Sequence, residues 1–278
     1  MNRRLLSLLL CLTLSAIFPA WADETQPPEI SAKCAILTDG GGEVLFEKNA
    51  DTRALIASTT KLMTALVAVE SAALDETVTP SEAACAVEGS SMYLKAGERY
   101  TVRQLLTGLL LASGNDAALA LAEHCGGEGD FVRRMNEKAA ELQMADSHFE
   151  NPHGLDGEAH YSTARDLAKL MAAFCENEEL RAIAALKSAA VGEQVYQNHN
   201  KLLSLCPGCV AGKTGYTDAA GRCLVSCCER QGQRLICVTL DDPRDWKDQC
   251  ALYDWGFQLW AMREVDRASA SHRKTRKT

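Results

Sequence analysis

Short β-strand patterns lie near both ends of this chain, and helical patterns fill its middle. A sheet of useful size therefore has to combine strands from both ends, with the helices inserted between them as a second lobe. This order predicts an α/β fold of the α+β kind, with a ligand site in the cleft between the lobes. The predicted elements are a hairpin, five helices, three strands and a closing helix: Ala32–Leu37, Glu43–Glu47; Ser58–Glu70, Val102–Leu111, Ala117–His124, Phe131–Leu142, Thr163–Phe174; Val210–Tyr216, Gly221–Cys228, Leu235–Leu240; Leu252–Met262.

The first 22 residues have the three parts of a secretory signal. Arg3 and Arg4 precede the apolar run Leu5–Ile17, and Ala20-Trp21-Ala22 has the small-x-small form of a cleavage site. The apolar run is too short to span a bilayer comfortably, so a retained anchor is the weaker interpretation. The sequence therefore predicts an exported protein of the cell envelope that begins after residue 22.

The exported body is acidic, which argues against nucleic acid as a partner. The net charge of −8 becomes −10 when the two signal arginines are removed. Residues 263–278 are the exception, because they carry a concentration of basic side chains. We expect a solvated, disordered tail there. The alternative is a weak electrostatic contact with anionic lipid or wall polymer, which would make the protein membrane-associated.

Twelve cysteines occur, of which only Cys11 lies in the signal segment. The eleven that remain are an odd number, so at least one has no disulfide partner within the chain. Most lie in apolar patterns, where a free thiol behaves as a small hydrophobic side chain. Cys206-Pro207-Gly208-Cys209 is the one pair close enough in sequence to form a bridge or bind a metal, and we predict no metal site or cofactor.

Ser58-Thr59-Thr60-Lys61 opens the first predicted helix. Lys61 lies one turn after Ser58 on the same face, so its amine can take the proton of the serine hydroxyl if that amine is neutral. Burial and a nearby positive charge, for which Lys213 is a candidate, would lower its pKa in the required direction. The alternative is that the hydroxyl residues only cap the helix and Lys61 is solvated.

Two further motifs follow in order: Ser113-Gly114-Asn115 and Lys213-Thr214-Gly215. In the first, Ser113 could relay a proton and Asn115 hold a substrate amide. A simple turn between helices is the alternative, and it is the more common explanation of a Ser-Gly-Asn taken alone. The second places Lys213 in a strand, where a substrate carboxylate would be a suitable partner. Gly215 in the same motif allows another group to approach the strand closely. An edge strand kept soluble by its lysine is the alternative.

The three motifs together resemble the penicillin-binding proteins and β-lactamases. The Ser-Gly-Asn form is similar to the low-molecular-weight D-alanyl-D-alanine carboxypeptidases of the DacA/DacF type, peptidase family S11. The similarity extends from about Ala32 to Phe257 and includes Asn151-Pro152-His153-Gly154-Leu155, Asn198-His199-Asn200-Lys201-Leu202-Leu203 and Gly215-Tyr216-Thr217. The resemblance implies a β-lactamase/transpeptidase-like fold over residues 23–262, in which helices flank an antiparallel sheet and an all-helical lobe is inserted.

The resemblance also implies a role for each motif residue. Ser58 would attack the carbonyl between the two terminal D-alanines of a peptidoglycan stem peptide, with Lys61 as base and Ser113 passing the proton to the leaving amine. Asn115, Lys213, Thr214 and Gly215 would bind substrate, and the N–H groups of Ser58 and Tyr216 would form the oxyanion hole. β-Lactam antibiotics would be inhibitors that trap Ser58 as an ester.

Several alternatives stay open. Larger family members carry a β-rich second domain and an amphipathic anchor, and both are expected to be absent because the chain ends soon after Trp260. That expectation leaves D,D-endopeptidase activity open. A sensor that is acylated without turnover would retain the same residues.

Two other classes of protein are disfavoured. A class A β-lactamase is disfavoured because residues 145–165 lack the Glu-x-x-Leu-Asn pattern. A metal or redox protein built on the cysteines is disfavoured because adjacent cysteines bind one ion awkwardly.

Overall fold

The computed structural model describes residues 26–275, with side chains up to Glu264. The predicted signal peptide lies outside the described residues. Strands from both ends of the chain form one five-stranded antiparallel sheet. The sheet strands are β1 (Cys34–Asp39), β2 (Val44–Lys48), β7 (Cys209–Thr217), β8 (Gly221–Arg230) and β9 (Gln233–Leu240). They pair in the order β2-β1-β9-β8-β7. The predicted fold class is therefore confirmed.

Helices occupy the middle of the chain, as predicted. The helices of the middle are α1 (Lys61–Ser71), α2 (Glu82–Cys85), α3 (Val102–Leu111), α4 (Asn115–His124), α5 (Glu128–Glu141), α6 (Ala164–Glu176) and α7 (Glu178–Ala184). A short helix α8 (Leu202–Leu205) precedes β7, and α9 (Asp245–Thr275) closes the chain. Two small antiparallel pairs were not predicted: β3 (Thr77–Val78) with β4 (Tyr100–Thr101), and β5 (Ser188–Val191) with β6 (Gln194–Gln197). Their strands are too short to show an alternating pattern.

Both faces of the sheet are buried, and β8 shows how. Val225 and Cys227 belong to a core shared with the helical lobe, whereas Leu224 and Cys228 belong to a second core beneath α9. Successive side chains of a strand point to opposite faces, so a strand covered on both sides is apolar throughout. The inner strands are therefore fixed between two layers of helices.

The closing helix differs from the prediction at both ends. It begins at Asp245 instead of Leu252 and continues to Thr275 instead of ending at Met262. The tail expected to be disordered from residue 263 is thus helical as far as it is described. Arg263 donates a hydrogen bond to Glu43 Oε1 at 2.7 Å, which ties this extension to the turn before β2, and arginine is itself a good helix former.

None of the helices in the described part of the chain combines the length and the apolar character needed to cross a bilayer.

Candidate active site

Ser58 lies where the helical lobe meets the edge strand of the sheet. It is in a 3₁₀ turn, Ala57–Thr60, that leads directly into α1, and Ala57 has a positive φ of 45°. The turn can approach β7 because residue 215 is glycine. A Cβ atom there would lie 2.9 Å from the carbonyl oxygen of Ile56 and 3.0 Å from the backbone nitrogen of Ser58. Gly215 therefore allows the two lobes to touch at the serine.

Lys61 is fully buried one turn after Ser58. Its Nζ lies 2.8 Å from Ser58 Oγ, 2.7 Å from Asn115 Oδ1 and 2.5 Å from the carbonyl oxygen of His153. Burial lowers the pKa of Lys61 well below its usual value, and the charge of Lys213 lowers it further, against an opposing effect of Asp116. The arrangement favours the neutral amine, the form that can accept the proton of Ser58.

The carbonyl of His153 belongs to a loop that packs against the 3₁₀ turn. Gly154 passes so close that a Cβ atom there would collide with the carbonyl oxygen of Ala57. Thr64, one turn into α1, donates to the carbonyl oxygen of Pro152. This loop orients Lys61 through main-chain atoms. No residue type marks such a carbonyl in a sequence, so its role could not be predicted.

A second contact between the helical lobe and β7 joins Ser113 to Lys213. Ser113 has a positive φ of 61°, a strained conformation for a non-glycine residue. Lys213 is buried on β7, and its Nζ donates to Ser113 Oγ at 2.9 Å and to the carbonyl oxygen of Thr214 at 2.8 Å. Burial lowers the pKa of Lys213 to about 7. The amine can therefore gain or lose its proton near neutral pH.

Asn115 is oriented toward the protein. Its Oδ1 accepts the bond from Lys61, and its Nδ2 donates to the carbonyl oxygen of Glu88 at 2.6 Å. The residue is buried, and both ends of its amide are used within the chain. The structure thus places the Asn115 side chain on Lys61, whereas the sequence suggested that it holds a substrate amide.

Asp116, next to Asn115, was not singled out by sequence reasoning. Its fully buried carboxylate accepts bonds from the backbone nitrogens of Met92 and Leu94 and from the hydroxyl of Ser91. These contacts hold the segment after Ser90 against α4. Ser90 in turn lines the cleft. A buried aspartate surrounded by a helical apolar pattern gave no signal of this function.

A cleft of about 390 Å³ lies over these groups. Five predicted residues line it: Ser58, Ser113, Thr214, Gly215 and Tyr216. Six other lining residues were not among the predicted site residues: Ser90, His199, Lys201, Arg222, Asp245 and Trp246. The Arg222 guanidinium donates to Asp245 Oδ2 at 2.9 Å and is partly exposed to the cleft. Arg222 belongs to no motif, and only the pairing of β8 with β7 brings it opposite Tyr216.

The buried His160 supports the 3₁₀ turn that carries Ser58, through a hydrogen bond with Thr60. His160 Nδ1 accepts from the backbone nitrogen of Glu150 at 3.1 Å, so Nε2 carries the proton when the ring is neutral. Nε2 lies 2.8 Å from Thr60 Oγ1, which donates to the carbonyl oxygen of Ala57 at 2.8 Å. Burial is the main reason that the pKa of His160 falls to about 4, which keeps the ring neutral at pH 7.

Comparison with known proteins places this geometry in context. The family profile described as D-alanyl-D-alanine carboxypeptidase matches residues 22–244. The chain is 39% identical to D-alanyl-D-alanine carboxypeptidase DacB2 of Mycobacterium tuberculosis, over 86% of this chain and 89% of the relative. It is 36% identical to D-alanyl-D-alanine carboxypeptidase DacF of Bacillus subtilis, over 86% of this chain but only 66% of that longer relative.

Two crystal structures extend the comparison to the fold. A D-alanyl-D-alanine carboxypeptidase from Mycobacterium tuberculosis superimposes with a TM-score of 0.81 at 38% identity, covering 85% of this chain and 95% of the other. The Streptomyces K15 DD-transpeptidase superimposes with a TM-score of 0.79 at 34% identity, covering 84% of this chain and 99% of the other.

Proposed function

The chain belongs to the D-alanyl-D-alanine carboxypeptidase family, peptidase family S11, and we propose that Ser58 is the nucleophile with which it removes the terminal D-alanine from peptidoglycan stem pentapeptides. The family predicted from the motifs is confirmed. The roles of the individual residues are part of the proposal, and the surroundings of Lys61 are the observation that supports them best.

A neutral lysine amine has two N–H groups and one lone pair. The carbonyl oxygens of Asn115 and His153 are acceptors only, so they take both N–H groups. The lone pair then faces the third neighbour, the hydroxyl of Ser58 at 2.8 Å, which donates its proton as it attacks the substrate carbonyl. Asn115 and the loop at His153 thereby orient the base.

The oxyanion of the tetrahedral intermediate would form where Gly215 allows β7 to approach the turn that carries Ser58. The backbone N–H groups of Ser58 and Tyr216 belong to the turn and strand that this glycine brings together. Donors already held in place around a developing negative charge lower the barrier, because they need no reorganisation during the reaction.

The terminal carboxylate of the substrate would bind Lys213 and Thr214. An arriving anion raises the pKa of a nearby amine, so it would hold Lys213, whose own pKa is about 7, in the charged form. Ser113 accepts a hydrogen bond from Lys213 at 2.9 Å and lies in the cleft with Ser58. It can therefore pass a proton to the leaving amine of D-alanine. Water then releases the acyl-enzyme, whereas a β-lactam leaves a long-lived ester on Ser58.

The place of action is part of the proposal. Residues 1–22 would export the chain, and residues 23–262 would act on the wall outside the cytoplasm. The basic side chains after residue 262 would add a weak contact with anionic lipid or wall polymer.

Fluorescent penicillin and a stem pentapeptide test the proposal together. We expect the label to map to Ser58, free D-alanine to be released, and Ser58→Ala to abolish both. Ser71→Ala, which alters a serine at the other end of α1, is the matched control and should retain both activities. Labelling of Ser58 without release of D-alanine would contradict the carboxypeptidase and favour a D,D-endopeptidase or a sensor. Rapid turnover of the penicillin would favour a β-lactamase.

A further inference from the structure

Four cysteine thiols converge at the beginning of β7, outside the cleft described above. Cys206 directly follows α8, and Cys209 is the first residue of β7. Cys228 lies on β8 and Cys250 on α9. They belong to the core between the sheet and α9, so four separate elements of the chain bring the thiols together.

Two of these thiols are in direct contact. The sulfur atoms of Cys206 and Cys228 are 3.7 Å apart, and both residues are buried. A disulfide bond is about 2.05 Å long, so rotation of the two side chains has to close the remaining separation. Cys209 lies opposite Cys228 in the β7–β8 ladder, and the Cys250 thiol contacts Cys206. Each member of the central pair thus has a second thiol beside it.

The surroundings of Cys206 favour its thiolate, which is the reactive form of cysteine. The thiols of Cys228 and Cys250 hydrogen-bond its sulfur and lower its pKa, and the Arg230 guanidinium lowers it further. Arg230 Nη2 donates to Cys206 Sγ at 3.5 Å. The guanidinium is held there by Asp254 at 2.8 Å and by the carbonyl oxygen of Pro207 at 2.8 Å.

Access to the buried pair is provided by its neighbours. Cys209 and Cys250 are only half-buried, whereas Cys206 and Cys228 are buried. A disulfide reagent can therefore react first with an outer thiol, and the bond can then pass inward. Cys175 and Cys227 are a contrasting pair: they also contact each other, but both are buried and neither has a half-buried thiol beside it among the contacts described.

We propose that Cys206 and Cys228 form a reversible disulfide in exchange with a disulfide-containing thiol carrier outside the cytoplasm. A thiolate of the cluster attacks the carrier disulfide, forms a mixed disulfide and releases one carrier thiol. A second cluster thiolate then displaces the other carrier thiol, and if the first bond was formed by Cys209 or Cys250, an inner thiolate displaces that outer thiol so that the disulfide joins Cys206 and Cys228. Two protein thiols are oxidised to one disulfide, the carrier disulfide is reduced to two thiols, and the protein protons pass through solvent to the carrier thiolates.

A metal site fits the cluster less well. Within residues 26–264, no group of three or more cysteine, histidine, aspartate or glutamate side chains is arranged to hold a metal ion. The disulfide needs only the pair already in contact. The disulfide would tie Cys206 to the strand β8. Cys206 lies between the cleft residues His199 and Lys201 and the strand β7, which carries Lys213.

Glutathione disulfide is the probe that tests the proposal on the mature protein. After oxidation, blocking of free thiols and tryptic digestion, we expect residues 202–213 to be linked to residues 223–230 through Cys206 and Cys228. The melting temperature should rise by roughly 5–10 °C relative to the reduced protein, because the crosslink restricts the unfolded chain. Dithiothreitol should reverse both changes.

Variants make the result specific. Cys206→Ser and Cys228→Ser should each lose the crosslink and the temperature shift, whereas Cys85→Ser, at a half-buried thiol in the helical lobe, should keep both. A wild-type protein that forms no crosslink, or one linked through Cys209 or Cys227 instead, overturns the proposal. Stoichiometric zinc that survives dialysis against a chelator in the reduced protein also overturns it. None of these outcomes depends on the acylation of Ser58.

Discussion

The two walls of the cleft each bury one lysine, and the two lysines have different surroundings. On the helical wall, Lys61 faces the Ser58 hydroxyl and two fixed carbonyl acceptors, from Asn115 and His153. On the sheet wall, Lys213 contacts the Ser113 hydroxyl and the carbonyl oxygen of Thr214. Burial lowers the pKa of both amines, and the charge of Lys213 further lowers that of Lys61.

These surroundings favour one positive charge in the cleft over two. Lys61 is surrounded by acceptors that suit a neutral amine and leave its lone pair for Ser58. Lys213 has a pKa of about 7, so a bound anion is enough to keep it charged. Under the proposed function, the same residue type would serve as a base on one wall and as an anion-binding group on the other.

Replacing each lysine by arginine should separate the two roles most strongly. Arginine keeps its charge at all accessible pH values and cannot act as a base. We expect Lys61→Arg to lower the acylation rate by about 10³–10⁴-fold. Lys213→Arg retains a cation and should lose only about 10- to 100-fold. The measurement is the second-order rate of labelling by fluorescent penicillin, and equal losses in the two variants would contradict the comparison.

The stability of the protein should depend on pH through Lys213. Its pKa is about 7 in the folded protein and close to the usual 10.5 in the unfolded chain. Between these values the unfolded state binds more protons, so the free energy of unfolding rises with pH. From pH 7 to pH 9 we expect the wild type to gain roughly 2 kcal/mol more than Lys213→Met, measured by urea denaturation.

Lys187→Met is the control for this experiment, since Lys187 is exposed. It should show the same pH dependence as the wild type. A Lys213→Met protein whose stability rises with pH as steeply as that of the wild type would mean that Lys213 is not the group that titrates.

The contact between the two walls should be sensitive to a single methyl group. In Gly215→Ala the new Cβ atom would meet backbone atoms of Ile56 and Ser58 at 2.9–3.0 Å, so the strand and the turn have to separate. We expect about a 100-fold loss of kcat/KM on the pentapeptide, because the oxyanion donors move apart. Gly129→Ala is the control, since nothing lies within 4 Å of its added Cβ atom. Unchanged kinetics in Gly215→Ala would show that this junction does not position the donors.

Replacing His160, which supports the turn that carries Ser58, should have the smallest effect on acylation. His160→Gln disturbs the chain of hydrogen bonds through Thr60 to the carbonyl oxygen of Ala57. We expect the acylation rate to fall by less than about tenfold and the free energy of unfolding to fall by about 1–2 kcal/mol. His148→Gln, at an exposed histidine of the same loop, should change neither. An acylation rate unaffected by His160→Gln would mean that the turn needs no support from this ring.

Chemical motifs were easier to predict from sequence than their positions in space. Ser58, Lys61, Ser113 and Lys213 could be named because each belongs to a short pattern of reactive residue types. Asn115 was found by its motif, but its orientation toward Lys61 and Glu88 depends on backbone atoms distant in sequence. Asp116 and Arg222 were missed, since a single charged residue in an apolar helix or strand has no distinctive spacing.

The cysteines show the same limit. The sequence identified Cys206 and Cys209 as one close pair, because only local spacing can be read directly. Cys228 and Cys250 join them through pairing of β7 with β8 and packing of α9 on the sheet. Likewise, the end of the closing helix was misplaced because the contact between Arg263 and Glu43 spans nearly the whole chain.

The family, the order of the main elements and the reactive residue types could be predicted from the amino-acid sequence, because these depend on local patterns of hydrophobicity and on short motifs. The folded structure was needed to show which lysine faces the serine, which backbone carbonyls surround it and which thiols meet. These properties depend on distance and burial, and both arise when segments far apart in the chain pack together.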